Sequence, residues 1–193
     1  MDHQTDIVVI GGGPAGSTVA ALLADAGWSV ALFERDQFPR EHVGESLIPA
    51  AVQTLRRLGV KAELDRRGFL RKRGTTFVWG SGQDPWTVYF VEGNPLAGYS
   101  YQLHRPEFDE LLLQTAADFG VQVLQRAAVT GVLREGEAVT GVNVSLDGGA
   151  AETWRARLVI DASGQAGVIA RALNLRQWDS DIRNMAVYGY WEG

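Results

Sequence analysis

A glycine-rich segment directly after a short apolar run places the strongest constraint on how this chain folds. Residues 7–10 are all β-branched, which is typical of a strand buried on both faces of a parallel sheet. Gly11-Gly12-Gly13-Pro14-Ala15-Gly16 follows at once, and residues 17–26 are rich in Ala and Leu, which predicts a helix that Gly27 ends. Residues 29–34 predict a second strand. The order strand, glycine turn, helix, strand predicts a βαβ unit.

The spacing of three glycines in that turn indicates a dinucleotide site. Gly11 permits a tight turn, Gly13 lets the backbone approach a pyrophosphate, and Gly16 lets the helix pack closely on the strand. The helix N-terminus offers free N–H groups and partial positive charge to phosphates. Glu34 ends the second strand 18 residues after Gly16, where an acid hydrogen-bonds a ribose. Cofactor contacts are therefore predicted at Gly11, Gly13, Pro14, Ala15, Gly16, Ser17, Glu34 and Arg35.

The motif alone leaves FAD and NAD(P) open, and the rest of the pattern favours FAD. Three segments between residues 75 and 103 are β-branched and aromatic with Gly and Pro turns between them, which predicts an antiparallel set. Residues 121–160 predict a strand and then a meander. These segments interrupt the βα alternation that is typical of a plain dehydrogenase. Three further helices are predicted: one over residues 46–58 with Ser46 as its N-cap, one that Pro106 opens, and a short one over residues 168–173.

Composition excludes several kinds of site. The chain has no Cys, which excludes disulfides, thiol nucleophiles and Cys-ligated metals, and its three His residues predict no metal site. A net charge of −5 argues against nucleic-acid binding. The uncharged stretch 7–24 contains four Gly and follows Asp2 and Asp6 rather than basic residues, which argues against a signal peptide or a membrane span. We therefore expect a cytoplasmic protein without nucleic-acid or membrane partners.

Longer motifs resemble a known family over nearly the whole chain. Residues 6–17 and Leu32-Phe-Glu-Arg35 resemble the FAD fingerprint of the glutathione-reductase-type flavoproteins. Phe38-Pro-Arg-Glu-His-Val-Gly-Glu-Ser-Leu-Ile-Pro49 resembles more narrowly the flavin-dependent halogenases, as do residues 68–79, 101–113 and 158–164. Related flavin monooxygenases and geranylgeranyl-reductase-like proteins share the first motif. The family's Trp-x-Trp-x-Ile-Pro signature and second Gly-Asp segment are not in this sequence.

The resemblance implies a chemistry and its partners. FAD would bind non-covalently and act as FADH2, supplied by a separate flavin reductase. With O2 and a halide co-substrate it would yield hypohalous acid, which a lysine directs onto an electron-rich phenolic or pyrrolic substrate, in some relatives bound to a carrier protein. Natural-product biosynthesis, including that of antibiotics, is the implied setting. The alternatives are a flavin-dependent monooxygenase or reductase, and an FAD-binding fragment without activity of its own.

The fold class expected is α/β, a Rossmann-like FAD-binding domain with a parallel sheet, a β-meander crossover and an antiparallel β insertion. Residues 1–182 would form this domain, with the insertion over about residues 70–103 on the substrate side. Residues 183–193, with a strand predicted over 185–191, would begin a substrate-domain sheet that the end of the chain truncates.

Lys72 is the predicted catalytic residue. Only two of the 18 basic residues are Lys, and Lys72 stands between Arg71 and Arg73 where a solvated basic patch is the simpler interpretation. An amine can lose its proton, bind an electrophilic halogen or donate a directed hydrogen bond, whereas a guanidinium stays charged. The position also matches the active-site lysine of the halogenases. We therefore predict a catalytic role.

Six further residues are predicted cofactor contacts, and most of them have a simpler alternative. The resemblance makes residues 35–46 a strap along the flavin, carrying Arg40, Glu45 and Ser46; the alternative is a solvated loop in which Ser46 caps a helix. Arg105 at a helix start opposes the helix dipole, so it contacts either a ligand or solvent. Val129 matches a position whose backbone meets the adenine. Asp161 lies near the cofactor or caps its own turn.

Overall fold

The computed structural model describes residues 1–80, 82–93 and 98–182, together with 185, 187, 189 and 191. The strands are β1 (Asp2–Ile10), β2 (Val30–Phe33), β3 (Leu70–Lys72), β4 (Gly74–Phe77), β5 (Trp86–Tyr89), β6 (Ser100–Gln102), β7 (Gln122–Leu124), β8 (Ala127–Glu135), β9 (Ala138–Leu146) and β10 (Ala151–Asp161). The helices are α1 (Pro14–Asp25), α2 (Pro49–Arg57), α3 (Lys61–Arg66), α4 (Phe90–Gly93), α5 (Arg105–Asp118) and α6 (Val168–Ala172), and a 3-10 turn spans Gly164–Ala166.

Six strands form one mixed sheet in the order β7-β2-β1-β10-β9-β8. Strands β7, β2, β1 and β10 run parallel, while β8 and β9 are antiparallel and lead into β10 as a meander. Strand β1, helix α1 and strand β2 form the predicted βαβ unit. The predicted α/β class with a parallel sheet and a meander crossover is therefore confirmed.

Both faces of β1 are buried, as its run of β-branched residues predicts. Ile7 and Val9 face a core that α1 and α5 supply through Ala20, Ala21, Phe108 and Leu112. Val8 and Ile10 face the opposite core, which contains Phe33, Val142 and Trp154 from the meander side. Successive side chains of a strand point to opposite faces, so a continuous apolar run is needed where both faces are covered.

The antiparallel insertion differs from the prediction of one continuous set. Strand β3 pairs with β6, and β4 pairs separately with β5, so the segment forms two short ladders. Residues 90 and 91, predicted to continue a strand, lie instead in the short helix α4. Local β propensity indicates which residues favour strands, but it does not choose their partners.

Two other helices differ from the prediction. Helix α2 begins at Pro49 with Ile48 as N-cap, because proline suits the first helical turn, so the prediction that Ser46 caps this helix is wrong. Helix α3 was not predicted. The predicted strand over residues 185–191 and the predicted start of a second domain over 183–193 involve residues outside the described ones.

Candidate active site

A cavity of about 760 Å³ lies at the carboxyl ends of β1 and β2. Its walls come from the glycine turn, the end of β2, the strap, the start of α5, the start of the meander, the turn after β10 and helix α6. Crevices at the carboxyl ends of parallel strands are where α/β folds bind ligands. Predicted residues that line it are Gly11, Gly13, Pro14, Ala15, Glu34, Arg35, Arg40, Arg105 and Val129.

The three motif glycines are needed for two different reasons. Gly11 has φ +100°, and a Cβ there would lie 2.6 Å from the Ala162 carbonyl oxygen. A Cβ on Gly16 would overlap the Gly11 carbonyl oxygen. Gly13 has φ −67°, which any residue adopts, and a Cβ there would come within 4 Å of one described atom, Arg40 Nη2 at 3.6 Å. The fold thus requires Gly11 and Gly16, while the open cradle at Gly13 fits a bound pyrophosphate.

Glu34 is held at the cavity wall by backbone donors. Its side chain is buried, with Oε2 accepting a hydrogen bond from the Gly12 N–H at 2.7 Å and Oε1 accepting one from the Asp36 N–H at 2.9 Å. A carboxylate has further lone pairs, so it can still accept a hydrogen bond from a ribose hydroxyl. Ser17 is buried and donates its hydroxyl to the Gly12 carbonyl at 2.8 Å, so its side chain supports the turn from behind.

Asp161 and Val129 have contrasting local roles. Asp161 Oδ1 accepts from the Ser163 N–H at 3.1 Å, and Oδ2 accepts from the Ile169 N–H at 2.7 Å. Its side chain therefore stabilises the turn whose residues Ala162, Ser163 and Gly164 line the cavity. Val129 lies on β8 in the cavity wall itself.

Asp109 on α5 binds two arginines and was not predicted from the sequence. It is fully buried. Arg105 donates to both of its oxygens at 2.8 Å, and Arg40 Nη1 donates to Oδ2 at 3.4 Å. Arg105 also donates to the carbonyl oxygens of Val43 at 2.9 Å and Gly44 at 3.2 Å. Arg105 therefore anchors the strap and is not turned to solvent. The available signal was an acid four residues after Arg105, on the apolar face of the helix.

The strap, residues 35–46, runs from the cavity to Lys72. Arg40 and His42 line the cavity. Farther along, the Glu45 carbonyl accepts from the Leu103 N–H at 2.7 Å, so the strap lies along β6. Strand β6 pairs on its other side with β3, which ends at Lys72. Four residues span at most about 15 Å, so Ser46 lies within that distance of His42.

Lys72 does not line the cavity. Its Nζ donates a hydrogen bond to Ser46 Oγ at 2.5 Å and lies 5.4 Å from the centre of the Phe90 ring. The strap therefore runs from the cavity to the half-buried Lys72, which lies outside the cavity.

Lys61 forms an ion pair with Asp65. Its Nζ donates to Asp65 at 2.7 Å, and Asp65 also accepts from Arg71 at 2.9 Å and from Tyr101 at 2.7 Å. The hydrogen bond from Lys61, followed by those from Tyr101 and Arg71, holds the pKa of Asp65 below its usual value against the effect of burial. Burial and the bond to Asp65 raise the pKa of Tyr101. Lys61 thus has a structural role.

Comparison with known proteins decides the family. The sequence matches the family described as FAD binding domain over residues 4–188. The chain belongs to this family. A tryptophan 2-halogenase from Chondromyces crocatus is 37% identical over 100% of the chain, which spans 37% of that relative. The 1H-pyrrole-2-carbonyl-(peptidyl-carrier protein) chlorinase of Pseudomonas fluorescens is 33% identical over 99% of the chain, which spans 46% of that relative.

A solved structure agrees with these relatives. That of the myxobacterial chondrochloren halogenase CndH is 43% identical, with a TM-score of 0.79, over 84% of this chain and 38% of that one. The prediction of FAD as cofactor and the resemblance to flavin-dependent halogenases are therefore confirmed. This FAD binding domain spans less than half the length of the relatives named here.

Among its described residues, no helix is long and apolar enough to cross a membrane. The cytoplasmic location stays a prediction.

We expect Asp109→Ala to destabilise this FAD binding domain strongly. Removing the carboxylate leaves the buried guanidinium of Arg105 without its partner and weakens the hold on Arg40, a kind of change that costs about 3 kcal/mol or more. Chemical denaturation followed by circular dichroism measures the free energy of unfolding. The matched control is Asp118→Ala at the exposed end of the same helix, where Gln114 donates at 2.9 Å; its effect should stay below about 0.5 kcal/mol. Equal effects of the two substitutions would contradict the anchoring role.

Proposed function

We propose that this domain is the cofactor-binding part of a flavin-dependent halogenase that acts on an electron-rich phenolic or pyrrolic substrate. The observation that carries the proposal is the amine of Lys72 at the far end of a strap whose beginning lines the cofactor cavity. Relatives that match along the chain are halogenases of aromatic compounds. The chain's own residues therefore have separate tasks in binding, positioning and directing the reaction.

Binding of FAD falls to the cavity residues. The open cradle at Gly13 and the N-terminus of α1 would receive the pyrophosphate, and the buried carboxylate of Glu34 would accept a hydrogen bond from the ribose. Arg40, 3.6 Å from a Cβ placed on Gly13, adds positive charge beside the phosphates. When bound in its reduced form, FAD would supply two electrons and two protons, which with one further proton convert O2 and halide to hypohalous acid and water. A separate flavin reductase would provide those electrons.

Lys72 receives the oxidant beyond the strap. A neutral amine forms a nitrogen–halogen bond as the oxygen–halogen bond breaks and water leaves, whereas an ammonium donates a hydrogen bond to the acid's oxygen. Either form holds the halogen at one place, from which an aromatic carbon takes it and loses a proton. An aromatic side chain flanks this place, since the centre of the Phe90 ring lies 5.4 Å from Lys72 Nζ.

The direct test is the halide requirement. The enzyme, supplied with reduced flavin, O2 and a phenolic or pyrrolic substrate, free or attached to a carrier protein, should form product only when chloride or bromide is present. Mass spectrometry identifies the product by its halogen isotope pattern. A hydroxylated or reduced product that forms equally well without halide would contradict the proposal and favour a monooxygenase or reductase on the same scaffold.

A further inference from the structure

We propose that Ser46 is a positioning residue for Lys72, and that the strap thereby fixes the catalytic amine relative to the cofactor cavity. The inference rests on the proposed function for its catalytic meaning. In this proposal the Ser46 hydroxyl holds the Lys72 amine, whereas the sequence predicts Ser46 as a helix cap or a cofactor contact. In the structure Ile48 caps α2, and Ser46 is not among the residues that line the cavity.

The contact joins segments that are distant in sequence. Lys72 Nζ donates to Ser46 Oγ across 26 positions of the chain. The same Nζ lies 5.4 Å from the centre of the Phe90 ring, a cation–π arrangement. A lysine side chain has four rotatable bonds and loses much entropy when it is held. Two contacts from different elements therefore define one position for an amine that would otherwise sample many.

The strap itself is held firmly enough to act as this reference point. Backbone hydrogen bonds flank Ser46, from the Leu103 N–H to the Glu45 carbonyl at 2.7 Å and from the Leu47 N–H to the Tyr101 carbonyl at 3.0 Å. Earlier in the strap, Arg105 binds the carbonyls of Val43 and Gly44. Arg105 is in turn fixed by the buried Asp109. The Ser46 hydroxyl that binds Lys72 thus belongs to a strap held by Arg105, the same arginine that lines the cofactor cavity.

The chain offers a matched control for removal of this hydroxyl. Ser100 lies opposite Lys72 in the β3–β6 register, so it is a near neighbour of the same lysine. Its side chain is fully buried, and its Oγ has no hydrogen-bond partner among the described residues. Ser100→Ala therefore removes a hydroxyl beside Lys72 without removing a hydrogen bond to it.

The first measurement needs neither bound FAD nor activity. Trace acylation with an amine reagent, followed by peptide mass spectrometry, compares Lys72 with Lys61, the only other lysine. The hydrogen bond to Ser46 occupies the Lys72 amine and restricts its side chain. Ser46→Ala should therefore speed acylation of Lys72 by about threefold or more, the range of one such hydrogen bond. Lys61 should label at its original rate, Ser46→Thr should restore slow labelling of Lys72, and Ser100→Ala should leave both rates unchanged.

The second measurement is the fraction of oxidant that appears as halogenated product rather than as released hypohalous acid. Ser46→Ala should lower this fraction by about threefold or more, with unchanged FAD affinity, and Ser46→Thr should restore it. Unchanged acylation of Lys72 in Ser46→Ala would overturn the proposal, as would a loss of FAD affinity as the sole effect. If the wild type forms no halide-dependent product, the proposed function fails, while the acylation result still decides whether Ser46 positions Lys72.

Discussion

Gly13→Val is expected to abolish FAD binding while leaving the domain folded. The backbone at Gly13 has φ −67°, and an added Cβ would meet Arg40 Nη2 at 3.6 Å, an ordinary contact. The valine side chain would occupy the cradle that the pyrophosphate must enter. We expect at least about a 100-fold loss of affinity, equivalent to about 2.7 kcal/mol. Flavin titration by fluorescence measures the affinity, and thermal unfolding reports the fold.

Two other glycines make this result specific. Gly16→Ala should lose FAD affinity together with the fold, because its Cβ would overlap the Gly11 carbonyl oxygen. Gly93→Val should keep both, since a Cβ there meets no atom of the described residues within 4 Å and Gly93 does not line the cavity. Wild-type affinity in Gly13→Val protein would show that the pyrophosphate does not bind at this turn.

Lys72→Arg is expected to lose halogenated product by at least about 100-fold, about 2.7 kcal/mol of transition-state free energy, while still binding FAD and oxidising reduced flavin. The guanidinium keeps the positive charge but cannot act as a neutral amine or hold a halogen. Since Lys72 lies outside the cavity, the substitution should leave the FAD affinity unchanged. Product is measured by chromatography, and released hypohalous acid or peroxide is trapped by a soluble scavenger.

Lys61→Arg is the matched control for this substitution. It changes the chain's only other lysine, which pairs with Asp65 at 2.7 Å, and arginine can form the same ion pair. Product formation should therefore remain near the wild-type rate. Halogenation at that rate in Lys72→Arg would contradict the catalytic role of Lys72 and favour its interpretation as part of a solvated basic patch.

Local sequence features were sufficient to predict the βαβ unit, a dinucleotide as its ligand and the meander. Residues 7–10, the glycine turn and Glu34 lie close together in the chain, and their conformational needs are local. Gly11 illustrates this, because its φ of +100° is a property of the turn itself. The resemblance added the strap and Lys72, since both lie in motifs that can be read from short segments.

Only the tertiary structure decided how the two ends of the strap are held. The ladders β3–β6 and β4–β5 follow from strand pairing, which local propensity does not determine. The role of Asp109 depends on burial beside Arg105 and Arg40, one of them 69 positions away. The Ser46 hydroxyl meets Lys72 because β6 brings the strap and β3 together. The sequence by itself thus determined which groups the chain carries and predicted where a dinucleotide would bind. Folding decided which of those groups touch, because contacts between distant segments depend on pairing and burial rather than on local conformation.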